Sequence, residues 1–323
     1  MDSAANILVH ESQFPGNVHR DLLDSLRRRQ VNHKFHYDSV KQTQKWLALH
    51  QQFSPSRHDA DCRRVYDQSF VAAASAFKTA RVRVVGLGCG GGQKDTRLLK
   101  LLKRSRKEVF YTPCDVSAAM VLTARETALS VLPPTKCFPV VCDLASANSV
   151  RSLLATRHPT LVTFFGMIPN FEPQDILPKL ASLLKPSDVL LFSANLAPGP
   201  DYRGGIRKIL PQYDNPATRD WLMTFLMDLG VEAGDGKLGF DIETRGTGLK
   251  QVVARFRFKR ARTVSVDRHA FRFAAGQDIR LFFSYRYTAD RIQKMLGRYG
   301  LRVEDQWVAR SQEEGVFLCR KRR

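Results

Sequence analysis

The chain has 323 residues, of which 43% are hydrophobic, and this is enough to bury a sizeable core in two domains or one enlarged domain. Its longest apolar runs are shorter than the roughly 20 residues that a bilayer-spanning helix needs. The first residues also lack the basic and apolar regions of a signal peptide. We therefore expect a cytoplasmic protein with no membrane segment.

The formal net charge is +20, because 51 lysines and arginines outnumber 31 aspartates and glutamates. The basic residues are spread along the chain, and they form neither an arginine-rich arm nor an aromatic and basic ribonucleoprotein signature. Two interpretations stay open: a solvated basic surface, or non-specific contact with nucleic acid. The six cysteines show no CxxC pairing, so we expect reduced thiols and no metal site.

The first part of the chain predicts an α/β fold. Polar helices are expected over 17–30 and 59–79. Apolar strands and helices then alternate, which is typical of a parallel sheet covered on both faces. The strands are predicted over 82–87, 108–113, 137–142, 160–165 and 188–194, and the helices over 94–104, 117–129, 147–156 and 174–184.

The alternation breaks after Asn195, where prolines and glycines cluster. A helix at 288–299 and a hairpin of 301–308 with 315–319 complete the first fold. We therefore predict a main domain of residues 1–198 and 287–323, with an inserted domain at 199–286. The insert is predicted to hold a helix over 215–228 and strands near 248–258, 263–274 and 277–285.

The strand at 82–87 runs directly into the glycine-rich turn Gly88-Cys-Gly-Gly-Gly-Gln93, and a helix follows at once. Gly88, Gly90 and Gly92 would let a ligand approach the backbone closely at the carboxyl end of a buried strand. A tight turn between strand and helix explains the same glycines without a ligand. The motif alone therefore leaves both interpretations open.

Aspartates at the next two strand tips favour a ligand. Asp115 is placed to accept hydrogen bonds from ribose hydroxyls, and Asp143 to face the adenine edge of a nucleoside. Asp115, with Ser117 beside it, is also explained as a cap for the helix starting near Ala118. Taken together, the glycine loop and the two aspartates predict a nucleoside cofactor.

The spacing Gly88-x-Gly90-x-Gly92 matches neither the phosphate-binding loop nor the GxGxxG of dinucleotide folds. It resembles the loop of S-adenosylmethionine (SAM)-dependent methyltransferases, whose cofactor has no phosphates. Those enzymes usually carry an acid two residues before the first glycine, and this chain has Gly86 there.

Several segments resemble the histidine-specific Nα-methyltransferases of the ergothioneine pathway, in the right order and over almost the whole chain. The resemblance implies a class I SAM-dependent methyltransferase (Rossmann-like) core with an α+β substrate-binding insert between the fifth strand and the last helix. The segments are Phe35-His-Tyr-Asp38, Phe53-Ser-Pro-Ser-Arg57, Gly88-Cys-Gly-Gly-Gly-Gln-Lys94, Tyr111-Thr-Pro-Cys-Asp-Val-Ser117, Phe164-Phe-Gly-Met-Ile-Pro-Asn170, Tyr213-Asp214 and Ser284-Tyr-Arg-Tyr287.

The resemblance also implies roles for individual residues. Tyr37 and Asn170 would orient the amine and carboxylate of the substrate for catalysis, and Tyr213 would contact the carboxylate. Ordinary explanations remain for these three: a packed aromatic, a helix cap and a turn residue. Further substrate contacts fall on Phe53, Phe282 and Ser284, and the SAM-binding set is Gly88, Gly90, Gly92, Lys94, Asp115, Asp143 and Gly166.

Two departures from the family bear on the substrate. Phe282 stands where the histidine enzymes have a glutamate that grips the imidazole, and Phe53 stands where they have a tyrosine. An imidazole N–H without its acceptor costs about 1–3 kcal/mol, whereas Phe282 offers an apolar or stacking surface. We therefore expect an enzyme that methylates the α-amine of an amino acid or related small amine other than histidine. We also expect it to be a monomer. An RNA or protein methyltransferase on the same core and a catalytically inactive SAM-binding homologue remain as alternatives.

Overall fold

The computed structural model describes residues 5–147, 150, 154, 157–246 and 248–322. The chain folds into two compact units. Unit 1 comprises residues 1–13, 53–196 and 287–323, and unit 2 comprises residues 14–52 and 197–286. The predicted insert at 199–286 falls within unit 2. Residues 14–52 were predicted to belong to the main domain, but they are part of unit 2. The helix at Pro15–Arg28 packs into that unit's core.

Most of the predicted strands and helices lie close to their predicted bounds, but the elements at Leu8–Val9, Val40–Phe53, Pro55–His58, Tyr202–Ile209 and Gly236–Thr244 were not predicted. The strands are β1 (Leu8–Val9), β2 (Arg81–Leu87), β3 (Glu108–Asp115), β4 (Val140–Val141), β5 (Thr160–Phe164), β6 (Val189–Asn195), β7 (Gly236–Thr244), β8 (Lys250–Phe258), β9 (Arg262–Val266), β10 (His269–Phe273), β11 (Asp278–Arg286), β12 (Leu301–Val308) and β13 (Glu314–Lys321). The helices are α1 (Pro15–Arg28), α2 (Val40–Phe53), α3 (Pro55–His58), α4 (Ala60–Ser75), α5 (Gln93–Arg104), α6 (Ala118–Leu129), α7 (Pro173–Leu183), α8 (Tyr202–Ile209), α9 (Pro216–Asp228) and α10 (Ala289–Arg298).

Unit 1 is built on one sheet with the strand order β1-β4-β3-β2-β5-β6-β13-β12. The strands from β1 to β6 pair in parallel, whereas β13 runs antiparallel to both β6 and β12. The predicted α/β class with a Rossmann-like core and a closing hairpin is therefore confirmed. The predicted helix over 147–156 lies largely outside the described residues.

The core of unit 1 explains why α5 forms where it does. Leu98, Leu99 and Leu102 repeat at helical spacing and are buried with Val84 of β2 and Tyr111 of β3, while Lys100 and Lys103 of the helix are exposed. This packing fixes the start of α5 directly after the glycine-rich turn. The amino end of the helix consequently lies at the carboxyl edge of the parallel sheet.

Unit 2 contains the antiparallel sheet β11-β8-β7, the β9–β10 hairpin, the helices α1, α8 and α9, and all of α2 except its last residue. The single strand predicted over 263–274 is wrong, because the chain reverses at Asp267, whose φ of 49° is left-handed. Aspartate tolerates that conformation better than most residues. Among the described residues, no helix combines the length and apolar character that crossing a bilayer requires.

Alanine substitutions at Gly92 and Gly300 would separate the cost of backbone strain from the cost of a steric clash. Gly92 and Gly300 share a φ of 74°, but a Cβ on Gly92 would lie 2.7 Å from Cα of Ala124, whereas Gly300 has nothing within 4 Å. We predict that Gly300→Ala costs about 1 kcal/mol of unfolding free energy and Gly92→Ala about 2–4 kcal/mol. Urea titration of both variants measures the difference, and equal losses would show that α6 does not pack on the loop.

Candidate functional site

The glycine loop joins β2 to α5 at the carboxyl edge of the unit 1 sheet. Gly88, Gly90 and Gly92 all have positive φ, at 65°, 51° and 74°. A Cβ on Gly88 would lie 2.3 Å from Sδ of Met167. The amide of Gly88 donates to the carbonyl oxygen of Cys114 at 2.8 Å. The loop is thus folded back onto the end of β3, in a conformation that side chains larger than hydrogen would strain.

Asp115 ties this loop to the tip of β3. Its Oδ2 accepts a hydrogen bond from the amide of Gly90 at 3.0 Å, and its Oδ1 accepts one from the amide of Ser117 at 3.1 Å. Burial raises the pKa of the Asp115 carboxyl, and the backbone amides oppose that rise. The cap of α6 is Ser117, which accepts from the amide of Met120, so capping does not account for Asp115.

The next two strand ends carry Asp143 and Gly166. Asp143 is buried, and its carboxylate accepts hydrogen bonds from the amide of Ala145 and the hydroxyl of Ser146, both at 2.9 Å. Gly166 has a φ of 68° with open space around it, and its amide donates to Oγ of Ser193 at 2.9 Å. Both residues follow parallel strands, so the sheet brings them to the same edge as the glycine loop.

Lys94 is engaged in a buried network. Its Nζ donates to the hydroxyl of Tyr66 at 2.9 Å and lies 4.2 Å from the centre of that ring. The Tyr66 hydroxyl in turn bonds to Ser193 and to the carboxylate of Glu314. Burial lowers the pKa of Lys94, and Glu314 opposes that shift. Sequence reasoning missed Tyr66, because it occurs on the apolar face of α4 like any core residue.

These residues fit a nucleoside cofactor without phosphates. Three left-handed glycines set the backbone turn at the end of β2, where Met167 and Ala124 fill the space beside Gly88 and Gly92. Asp115 presents a buried carboxylate at the neighbouring strand end. The basic side chain at the start of α5, Lys94, donates to a phenol within the protein. Among the described residues, no group of three or more histidines, cysteines or acids is arranged to hold a metal ion.

In unit 2, four predicted substrate residues form one aromatic and polar cluster. Phe282 and Ser284 lie on the same face of β11, because side chains alternate along a strand. The hydroxyl of Tyr213 lies 2.8 Å from Oγ of Ser284, and its ring lies 6.3 Å from Phe282. Trp221 on α9 lies between Phe282 and the fourth residue, Tyr37: the centre of its ring is 5.8 Å from that of Phe282 and 5.6 Å from that of Tyr37.

Arg286 adds a buried cation to this cluster. Its Nε donates to the hydroxyl of Tyr213 at 3.0 Å, and its guanidinium lies 5.3 Å from the centre of the tyrosine ring. Arg286 shares the face of β11 with Phe282 and Ser284. Neither Arg286 nor Trp221 was predicted from the sequence as a site residue. Arg286 could have been predicted, because it lies inside the segment Ser284–Tyr287 that resembles the family.

Two histidines lie close to β11, one beside the ring of Phe282 and one beside the backbone of Leu281. The ring of His33 lies 5.1 Å from Phe282, and both of its nitrogens are buried with no hydrogen-bond partner among the described residues. Nε2 of His36 lies 2.7 Å from the carbonyl oxygen of Leu281. Burial lowers the pKa of His33 well below its ordinary value and the pKa of His36 to about 4. Both rings are therefore neutral at pH 7.

The two remaining predicted residues lie in unit 1. Asn170 ends a short 3-10 helix after β5, where its backbone N–H donates to the carbonyl oxygen of Met167 at 3.0 Å. Phe53 is the last residue of α2, and its side chain is 45% exposed. Neither residue belongs to the aromatic cluster of unit 2.

Comparison with known proteins identifies the family. A model of the family described as histidine-specific, SAM-dependent methyltransferases matches residues 18–321. The N-methyltransferase imqF of Aspergillus flavus is 24% identical over 279 residues, which is 82% of this chain and 73% of that protein. The chain belongs to the family of histidine-specific, SAM-dependent methyltransferases, and SAM is its cofactor.

Solved structures with a similar fold are more distant. The CcbJ methyltransferase from Streptomyces caelestis is 14% identical, with a TM-score of 0.41 covering 79% of this chain and 94% of that one. The glycopeptide N-methyltransferase MtfA, solved with SAM, is 13% identical, with a TM-score of 0.40 covering 80% and 94%. Likeness at this level carries no information about the substrate.

Asp115 has a matched control in the same unit. Asp188 is also a buried carboxylate that accepts two backbone hydrogen bonds, from Thr160 and Lys185, but it lies at the amino edge of the sheet. If Asp115 binds the ribose as expected from the sequence, Asp115→Ala removes charged hydrogen bonds to it, and we predict about 10- to 100-fold weaker SAM binding. Asp188→Ala should lower stability and leave the dissociation constant unchanged. Calorimetric titration measures both, and equal weakening would contradict the assignment.

The buried histidines predict acid sensitivity. A pKa lowered from 6.5 to about 4 in the folded state means that the unfolded chain binds the proton first, so stability is full above about pH 6.5 and falls below it. By pH 4 we expect His36 alone to cost about 2–3 kcal/mol. Urea unfolding across this range measures the loss. His36→Gln should flatten the profile, while the exposed His58→Gln should not, and identical slopes for both variants would refute the prediction.

Proposed function

We propose that the protein transfers the methyl group of SAM to the α-amine of an amino acid or a close analogue. When bound, SAM supplies an electrophilic methyl carbon on a sulfonium. The observation that carries the proposal is the unit 2 cluster, where Tyr213, Phe282 and Ser284 stand together as the family resemblance implies. The relative in Aspergillus flavus is described as an N-methyltransferase, which supports nitrogen as the acceptor atom.

Positioning is the main task in such a transfer, because a neutral amine needs only to be held near the methyl carbon with its lone pair directed at it. Tyr37 and Asn170 are proposed to orient the amine. A phenol and an amide suit this role because they form hydrogen bonds without stabilising an ammonium as a carboxylate would. Tyr213 is proposed to meet the substrate carboxylate, and Arg286 beside it adds a charge-assisted donor.

The surroundings of Phe282 argue against histidine as the substrate. Its ring is packed among His33, Tyr213 and Trp221, and this environment gives it an apolar and aromatic contact surface. A carboxylate acceptor for an imidazole N–H is missing at position 282. An imidazole placed there would lose a hydrogen bond worth about 1–3 kcal/mol. We therefore propose an amino acid with an apolar or aromatic side chain.

Mass spectrometry of reaction mixtures tests this proposal. The purified protein is incubated with SAM and a pool of free amino acids and analogues, and a parallel reaction contains total RNA. The proposal expects an amine that gains one, two or three methyl masses. Methylated RNA with unchanged amino acids would overturn it, and so would histidine as the best acceptor.

The Tyr213 hydroxyl provides a more specific test. Tyr213→Phe removes the group that Arg286 and Ser284 both contact, so we expect about a tenfold rise in KM for the amine with an unchanged SAM dissociation constant. The matched control is Tyr202→Phe, which removes a hydroxyl that bonds to the backbone of Arg286 and Lys250. Steady-state kinetics measures both variants. A KM unaffected by Tyr213→Phe would remove Tyr213 from the substrate site.

A further inference from the structure

A carboxylate occupies the space that a side chain at position 86 would need. Gly86 lies in β2, two residues before the glycine loop, and a Cβ built on it would lie 2.0 Å from Oδ2 of Asp95. Asp95 belongs to the first turn of α5 and is 3% exposed. The glycine at 86 and the aspartate at 95 are therefore linked by sterics, since no larger residue fits at 86 while Asp95 keeps this position.

Asp95 is held by hydroxyls on two strands. Its Oδ2 accepts from the hydroxyl of Tyr111 at 2.7 Å, and its Oδ1 accepts from the hydroxyl of Thr163 at 2.8 Å. Burial raises the pKa of the carboxyl, and the two hydroxyls and the nearby Lys94 oppose that rise. Within the described part of the chain, no lysine or arginine donates a hydrogen bond to it. A carboxylate can accept about four hydrogen bonds, so it retains capacity for further donors.

A buried carboxylate without a bonded cation is costly unless something repays its desolvation. The amino end of α5 supplies part of that stabilisation through its dipole. A cationic ligand group would supply the rest, because the Asp95 carboxylate lies beside Gly86, two residues before the loop that begins at Gly88. SAM carries an ammonium on its methionyl part, and a carboxylate forms strong charge-assisted hydrogen bonds with such a group.

We propose that Asp95 binds the ammonium group of SAM, and that it does so from α5 in place of an acid at position 86. Gly86 is then the residue that makes room for this carboxylate. The departure of Gly86 from the usual methyltransferase pattern is a relocation of the acid from the strand to the helix. The purely structural alternative is that Asp95 only ties β3 and β5 together through Tyr111 and Thr163.

Three ligands separate these two roles. SAM and S-adenosylhomocysteine both carry the ammonium, whereas methylthioadenosine has the same nucleoside without the amino acid part. For Asp95→Asn, which keeps the size of the side chain, we expect SAM and S-adenosylhomocysteine to bind at least about tenfold more weakly, with methylthioadenosine unchanged. Calorimetric titration gives all three dissociation constants. Equal weakening of all three, or of none, would overturn the proposal.

Two further variants keep the test independent of folding defects. Tyr111→Phe removes a hydrogen bond from Asp95 and keeps its charge, so it should lower the melting temperature without changing the ratio of the three affinities. The double variant Gly86→Glu with Asp95→Thr returns the acid to the strand and clears its space. We expect it to restore the preference for the two ammonium-bearing ligands, and a preference that stays lost would contradict the proposed relocation.

Discussion

The hydrogen bond from the backbone amide of Gly90 to the carboxylate of Asp115 connects the loop after β2 to the carboxyl end of β3. It depends on the left-handed glycines, because the loop reaches β3 only through positive φ angles at Gly88 and Gly90. It also depends on the packing of α5, since buried leucines fix where that helix begins. The arrangement of the carboxyl edge of unit 1, where we expect the cofactor, therefore depends on backbone conformation more than on side-chain chemistry.

Unit 2 uses a different principle. Alternation along β11 places Phe282, Ser284 and Arg286 on one face, and α9 brings Trp221 against the first of them. The result is an aromatic surface next to a hydrogen-bonded polar cluster of Tyr213, Ser284 and Arg286. If this cluster is the substrate site, as we propose, the combination would favour one orientation of a small amphipathic molecule, because the aromatic surface and the hydrogen-bonding groups would contact different parts of it.

Much of unit 1 could be predicted from sequence, because parallel strands buried on both faces give continuous apolar runs with clear ends. The α/β core, the closing hairpin and the SAM cofactor are confirmed. Unit 2 was harder to predict. Residues 14–52 join it from a distant part of the chain, and β7 was missed although Leu238, Phe240 and Ile242 alternate along it, because glycines and an aspartate interrupt the strand signal.

Individual site residues show the same limit. Asp115 could be selected from its place at a strand tip, but the replacement of an acid at position 86 by Asp95 becomes visible only when the two positions are seen to share one space. Arg286 likewise becomes a candidate site residue only through its hydrogen bond to Tyr213, which the sequence does not show. Phe53 matches a family motif by position, yet it lies at the end of α2 and is 45% exposed.

Hydrogen exchange with and without S-adenosylhomocysteine tests most directly the claim that the carboxyl edge of the unit 1 sheet binds the cofactor. We expect slower exchange at the amides of residues 88–92 and 114–117 when the ligand is bound. Peptides covering β9 and β10 should exchange at the same rate in both states. Unchanged exchange in the glycine loop, with protection confined to unit 2, would show that the cofactor does not bind at this edge.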